Sequence, residues 1–130
     1  MGVIASLWKG ITYRGREGHY AFILHRVAGL GVLLFLALHI FDIFLVAFGE
    51  ETFNDFLTLY THPLARLLEV ALIFGVVYHA FNGLRIILID FWPALTVHER
   101  RMWWVVLVVS IVLTVIAGVF TLAPVFGVHL

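Results

Sequence analysis

Seven histidines and no cysteine stand in this 130-residue chain. Imidazole is therefore the side chain best suited here to hold a transition metal. His79 lies in the stretch Tyr78-His79-Ala80-Phe81-Asn82-Gly83-Leu84-Arg85, which runs on through four aliphatic residues to Asp90. An unpaired polar ring in apolar surroundings is costly, and ionisable groups at membrane depth mark function by default. Gly75, His79 and Gly83 are spaced by four, and residues four apart share a helix face. The imidazole is thus flanked by positions without side chains. One reading is an axial ligand of haem iron with the flat macrocycle against that strip. The other is a small-residue packing seam with His79 bonded to a neighbouring helix. Spacing alone does not choose between them.

A second group is His25-Arg26, where the first apolar segment begins, with Arg85 and Asp90 expected at the same level. These cations suit carboxylates or lipid phosphates, and equally suit ordinary snorkelling at a membrane surface. Arg85 is six residues from His79, which turns it well off the His79 face. His39 follows His25 by fourteen residues, roughly 21 Å along a helix axis. His79 is eleven residues from Asp90, roughly 16 Å from the inner end of its helix. His39 and His79 are thus expected at different depths and not as trans ligands of one iron. His39 is either a ligand of a second haem near the outer side or a neutral histidine bonded to the carbonyl of Phe35. Asp42, one turn on, is placed to orient it. A haem with two axial imidazoles needs a second histidine at the same depth, which implies a partner membrane chain.

The elements that must position these residues follow from composition. The chain is 63% hydrophobic and only 12% charged, against about 45–50% apolar for a soluble domain. Mean hydropathy is +1.08. This is an all-α membrane protein, expected as a single transmembrane domain over 1–130. Its formal charge of +0 argues against a nucleic-acid partner, and without cysteine it ligates no iron–sulfur cluster. Residues 1–21 read as an interfacial arm, with Trp8, Lys9, Tyr13, Arg14 and Arg16 between glycines. Lys9, Arg14, Arg16, Glu17 and His19 interrupt any signal-peptide core, so insertion is expected to rely on later segments. A span needs roughly 20 apolar residues, and three segments qualify, about 22–48, 64–90 and 102–123. Gly49-Glu50-Glu51 ends the first and a short loop follows. His62-Pro63 opens the second, Phe91-Trp92-Pro93 closes it, and Trp103 and Trp104 anchor the third. Ser110 and Thr114 of the third span are expected to bond back to their own helix. Of the eight Lys and Arg residues, only Arg66 falls on the outer side. That asymmetry predicts a cytoplasmic N-terminus and an acidic first loop facing out.

His25-Arg26-Val27-Ala28-Gly29 in the first span, with His79-x-x-x-Gly83-x-Arg85 and Asp90 in the second, resembles the cytochrome b membrane-anchor subunit of succinate dehydrogenase. The resemblance covers nearly the whole chain. It implies a haem-binding helical bundle built with a second anchor subunit in the cell inner membrane. It also implies a flavoprotein and an iron–sulfur subunit docked on the cytoplasmic face. Electrons from succinate would reach a quinone where the anchor meets the iron–sulfur subunit. His79 matches the family's haem b axial ligand, with the trans ligand on the second anchor subunit. His25 and Arg26 match residues by the haem propionates and the quinone, and Asp90 one near the quinone. Two positions depart: Phe22 stands where many members carry a quinone-contacting serine, and Ile86 where many carry a propionate-side histidine. His39 together with His79 resembles members with two haems. The expectation is a succinate:quinone oxidoreductase subunit with one haem b at His79 and a second at His39, not an enzyme alone. A fumarate reductase anchor and a haem-free scaffold are the alternatives.

Overall fold

The computed structural model describes residues 2–12 and 17–127, so Tyr13, Arg14 and Arg16 of the predicted arm lie outside the described residues. Among the described residues five α-helices follow one another: α1 Val3–Thr12, α2 Glu17–Leu45, α3 Glu50–Leu57, α4 Pro63–Phe91 and α5 Glu99–Leu122. Short 3₁₀ turns cover Val46–Phe48, Thr58–Thr61, Pro93–His98 and Ala123–Phe126. Among the described residues there is no strand, and three segments are long and apolar enough to cross a membrane: Glu17–Phe48, Pro63–Phe91 and Pro93–Phe126.

Local chemistry sets the boundaries. Glu17 lies in the first turn of α2 and Glu99 in that of α5, where a carboxylate complements the helix dipole. Gly49 ends the first long segment at φ 107°, a conformation that a β-carbon disfavours. Pro63 sits at the start of α4, where its missing N–H costs nothing, and His62 Nδ1 accepts the Leu64 N–H at 3.2 Å. The loop expected after residue 49 is instead α3 and a 3₁₀ turn. Glu50 and Glu51 favour that helix start, and Phe53 and Phe56 turn inward to half-buried positions. Phe56 meets Phe41 of α2 edge-on at 5.9 Å. The arm contains a helix, α1, whose Trp8 is exposed.

α4 is the central helix, packed against both α5 and α2. The core is small: Ala28, Tyr78 and Val106, with Leu24, Phe74 and Leu107 around them. Of the 29 residues of α2, only Ala21, Ala28 and Asp42 are buried. Its other faces carry Leu, Ile and Phe outward, which suits lipid or another membrane chain. Where α2 meets α4, small residues bring the backbones close, as membrane helices require in place of a hydrophobic drive. A β-carbon on Gly75 would lie 3.9 Å from the Ala28 carbonyl oxygen.

Candidate functional site

His79 sits on the face of α4 that meets α2. Its Nδ1 lies 3.1 Å from the backbone oxygen of His25. A carbonyl only accepts, so Nδ1 carries the proton and donates it, which leaves Nε2 as the ring's open lone pair. The His25 ring stacks on His79 at 4.0 Å with 5° between the planes. Gly29, one turn along α2, faces the same imidazole: a β-carbon there would stand 2.9 Å from Cε1 and 3.1 Å from Nδ1.

This geometry revises two expectations. Gly75 is buried against Ala28, and Gly83 faces the His25 ring, 3.6 Å from where its β-carbon would be. Both glycines of the strip therefore serve the α2–α4 seam and do not frame an open bed beside His79. His25 lies at His79's own depth, not level with Asp90, because the α2–α4 crossing brings the two rings together. Stacked face to face, the pair cannot present nitrogens to one iron from opposite sides.

Next to the imidazoles, Tyr78 is fully buried. Its hydroxyl donates to the Ala21 carbonyl of α2 at 3.3 Å and accepts the Trp103 indole N–H of α5 at 3.0 Å. One phenol thus ties three helices together at this level. Along the sequence Tyr78 has no evident role and Trp103 suits an interfacial anchor. Asn82 and Arg85, one and two turns on, are buried too, with Arg85 donating to Asn82 Oδ1 at 3.2 Å. Arg85 Nε and Asn82 Nδ2 are donors without an acceptor among the described residues. Their signal was a polar i, i+4, i+7 stripe on an apolar helix.

The remaining candidates lie apart. Arg26 is exposed, its guanidinium 4.3 Å above the Phe22 ring, a contact worth about 0.5–1 kcal/mol at such a site. Asp90 is exposed at the inner end of α4. The Arg100–Glu17 ion pair at 2.7 Å holds the starts of α2 and α5 on one side. On the other side, Asp42 does not orient His39. It is buried and accepts the Tyr60 hydroxyl at 2.7 Å. His39 is exposed and stacks on Phe35 at 5.5 Å; among the described residues it makes no hydrogen bond to the Phe35 carbonyl. Of Ser110 and Thr114, only Thr114 bonds back to its helix, to the Ser110 carbonyl at 2.7 Å, while the buried Ser110 hydroxyl has no partner among the described residues.

Residues 10–118 match the family described as succinate dehydrogenase/fumarate reductase transmembrane subunit. The chain belongs to this family. The succinate dehydrogenase 2 membrane subunit SdhC of Mycobacterium tuberculosis is 36% identical over 91% of this chain and 83% of its own length. The succinate dehydrogenase hydrophobic membrane anchor subunit of Halobacterium salinarum is 28% identical over 95% of this chain and 88% of its own length. As a transmembrane subunit of this family, the chain is a multi-pass membrane protein and works within a complex. Among its described residues, no three His, Asp or Glu side chains converge on a bare metal ion. What the α2–α4 seam offers is a stacked pair of imidazoles, of which His79 has its Nδ1 bonded to the His25 carbonyl. A histidine side chain of this kind fits the donor chemistry of a haem ligand.

Proposed function

We propose that this subunit of succinate dehydrogenase binds haem b through His79 Nε2 and helps form the site where a quinone takes electrons from the iron–sulfur subunit. The observation that carries the reading is the Nδ1–H bond to the His25 carbonyl. It occupies Nδ1 and leaves Nε2 for a metal, as the outer partner of a metal-bound histidine does. Bound there, haem b supplies a one-electron carrier whose potential depends on ligand and surroundings. The second axial ligand comes from a second membrane-anchor subunit, which also covers part of the bare surface of α2. The flavoprotein and iron–sulfur subunits dock on the cytoplasmic side, at the N-terminus and the loop 92–98, in the inner membrane.

The chain's own residues then have distinct tasks. Arg26, held over Phe22, stabilises negative charge developing on the quinone oxygen or on a haem propionate. Without a hydroxyl, Phe22 offers the quinone an aromatic face in place of a hydrogen bond. Asp90, exposed at the inner end of α4, adds a carboxylate on the quinone side of the membrane. His25 lines the His79 imidazole. His39, exposed on the outer half of α2, is available to a second haem shared with the partner subunit. The relatives' names favour succinate oxidation over fumarate reduction.

A haem-free bridge is the competing reading, because a histidine that only joins helices would make the same bond. The two separate on haem per flavin and the reduced-minus-oxidised visible spectrum of the purified complex. Haem binding predicts a b-type band lost in His79→Ala and, for the second haem, about half the haem lost in His39→Ala. A wild-type complex without the band refutes the haem reading. One haem per flavin that survives His39→Ala removes the second haem.

A further inference from the structure

The seam between α2 and α4 carries a consequence for how His79 is held. Gly29 and the His25 carbonyl belong to the same turn of α2, and both face one edge of the imidazole. The carbonyl takes the Nδ1 proton at 3.1 Å. A β-carbon at position 29 would stand 2.9 Å from Cε1 and 3.1 Å from Nδ1, a spacing that real β-carbons essentially never show. A retreat of the ring would disturb the stack with His25 at 4.0 Å or the bond to its carbonyl. Gly31, two residues on along the same helix, has nothing within 4 Å of its β-carbon position. The need for glycine is therefore local to the imidazole and is not a general demand of α2.

We propose that Gly29 is a positioning residue for the ligand histidine. By lacking a side chain, it admits the His79 ring to the His25 carbonyl and so sets Nε2, not Nδ1, as the metal-facing nitrogen. His25 acts twice, with its carbonyl as proton acceptor and its ring as a wall. In Gly29→Ala the methyl displaces the ring edge and the Nδ1–H bond lengthens or breaks. The imidazole then loses the partner that fixes its tautomer and raises its basicity as a ligand. This inference rests on the haem reading above.

The test uses the assembled complex, purified with wild-type anchor, Gly29→Ala, Gly31→Ala and His79→Ala. It reads haem per flavin, the midpoint potential of the haem, and the low-spin electron paramagnetic resonance g-values. Expected are a fall in haem per flavin toward the level of His79→Ala, or a shifted potential with altered g-values, in Gly29→Ala, and wild-type values in Gly31→Ala. Wild-type haem content, potential and g-values in Gly29→Ala, with haem lost in His79→Ala, overturn the positioning role and leave the haem reading standing. Haem unchanged in His79→Ala overturns both. If Gly29→Ala fails to assemble, the wild-type complex is labelled with histidine carrying ¹⁵N at Nδ1 only or at Nε2 only, and hyperfine spectra are compared. Strong coupling to iron from the Nε2 label alone is expected; strong coupling from the Nδ1 label overturns the proposal.

Discussion

The phenol of Tyr78 ties three helices of this bundle together. It is fully buried and joins α2 through Ala21 and α5 through Trp103. A buried indole N–H left without an acceptor costs about 1–3 kcal/mol. Tyr78→Phe keeps the ring and removes both bonds, so the complex should lose stability by about 1–3 kcal/mol and melt at a lower temperature. Trp103→Phe should cost less when Tyr78 is already Phe than when it is not, because the two side chains share one bond. Equal costs in a thermal double-mutant cycle would disprove the coupling. None of this was legible in the stretch around residue 78. Tyr78 and Trp103 are 25 residues apart, and which faces of α4 and α5 meet depends on how the helices rotate against each other. Gly29 was hidden for the same reason. It read as part of a short motif, but its task appears only once His79, on another helix, lies against it.

Among the elements, α3 and the turn after it form a cap latched onto the outer end of α2. The latch is the Tyr60–Asp42 hydrogen bond, with Phe56 against Phe41 beside it. That bond, with burial adding to it, pushes the Tyr60 hydroxyl from its ordinary 10.0 up to about 12. The phenol is held protonated in the folded chain and released more easily when unfolded. Its contribution to stability is therefore complete below pH 10 and fades as pH rises through about 12. Absorbance titration of the phenolate should show a step near pH 12 that Tyr60→Phe removes, and the mutant should lose the wild type's stability decline in that window. If the step removed lies near pH 10, Tyr60 is not held by Asp42 in solution. The segment 49–62 looked like a connecting loop because it is polar and short. Its helix signal was present, with Glu50 and Glu51 opening it and Phe53 and Phe56 one turn apart, but the hydropathy contrast with the flanking spans outweighed it.

At the scale of the whole molecule, the Arg100–Glu17 pair and the Tyr60–Asp42 pair mark opposite ends of the bundle. The charge asymmetry predicts the first end to be cytoplasmic. The chain contains no cysteine, so single cysteines report sidedness cleanly. Val97 is 84% exposed and Leu59 61% exposed. In sealed vesicles stripped of the flavoprotein and iron–sulfur subunits, an impermeant thiol reagent on the cytoplasmic side should label Val97→Cys and spare Leu59→Cys, and the reverse pattern would invert the assigned topology. Three apolar segments, their approximate ends at Gly49, Pro63 and Trp92, and the membrane as solvent were all readable along the chain. They depend on hydropathy, helix spacing and breakers, which act within a few residues. The partners of those residues depended on the packed bundle. His79 finds its proton acceptor 54 residues away, and Asp42 gives its lone pair to Tyr60 and not to His39. The glycines flanking His79 close a seam and do not open a bed. Hydropathy fixes how deep a helix sits but leaves its rotation about its own axis free. Only side chains meeting across the bundle remove that freedom, and they settle which face of the imidazole is walled in and which nitrogen stays open.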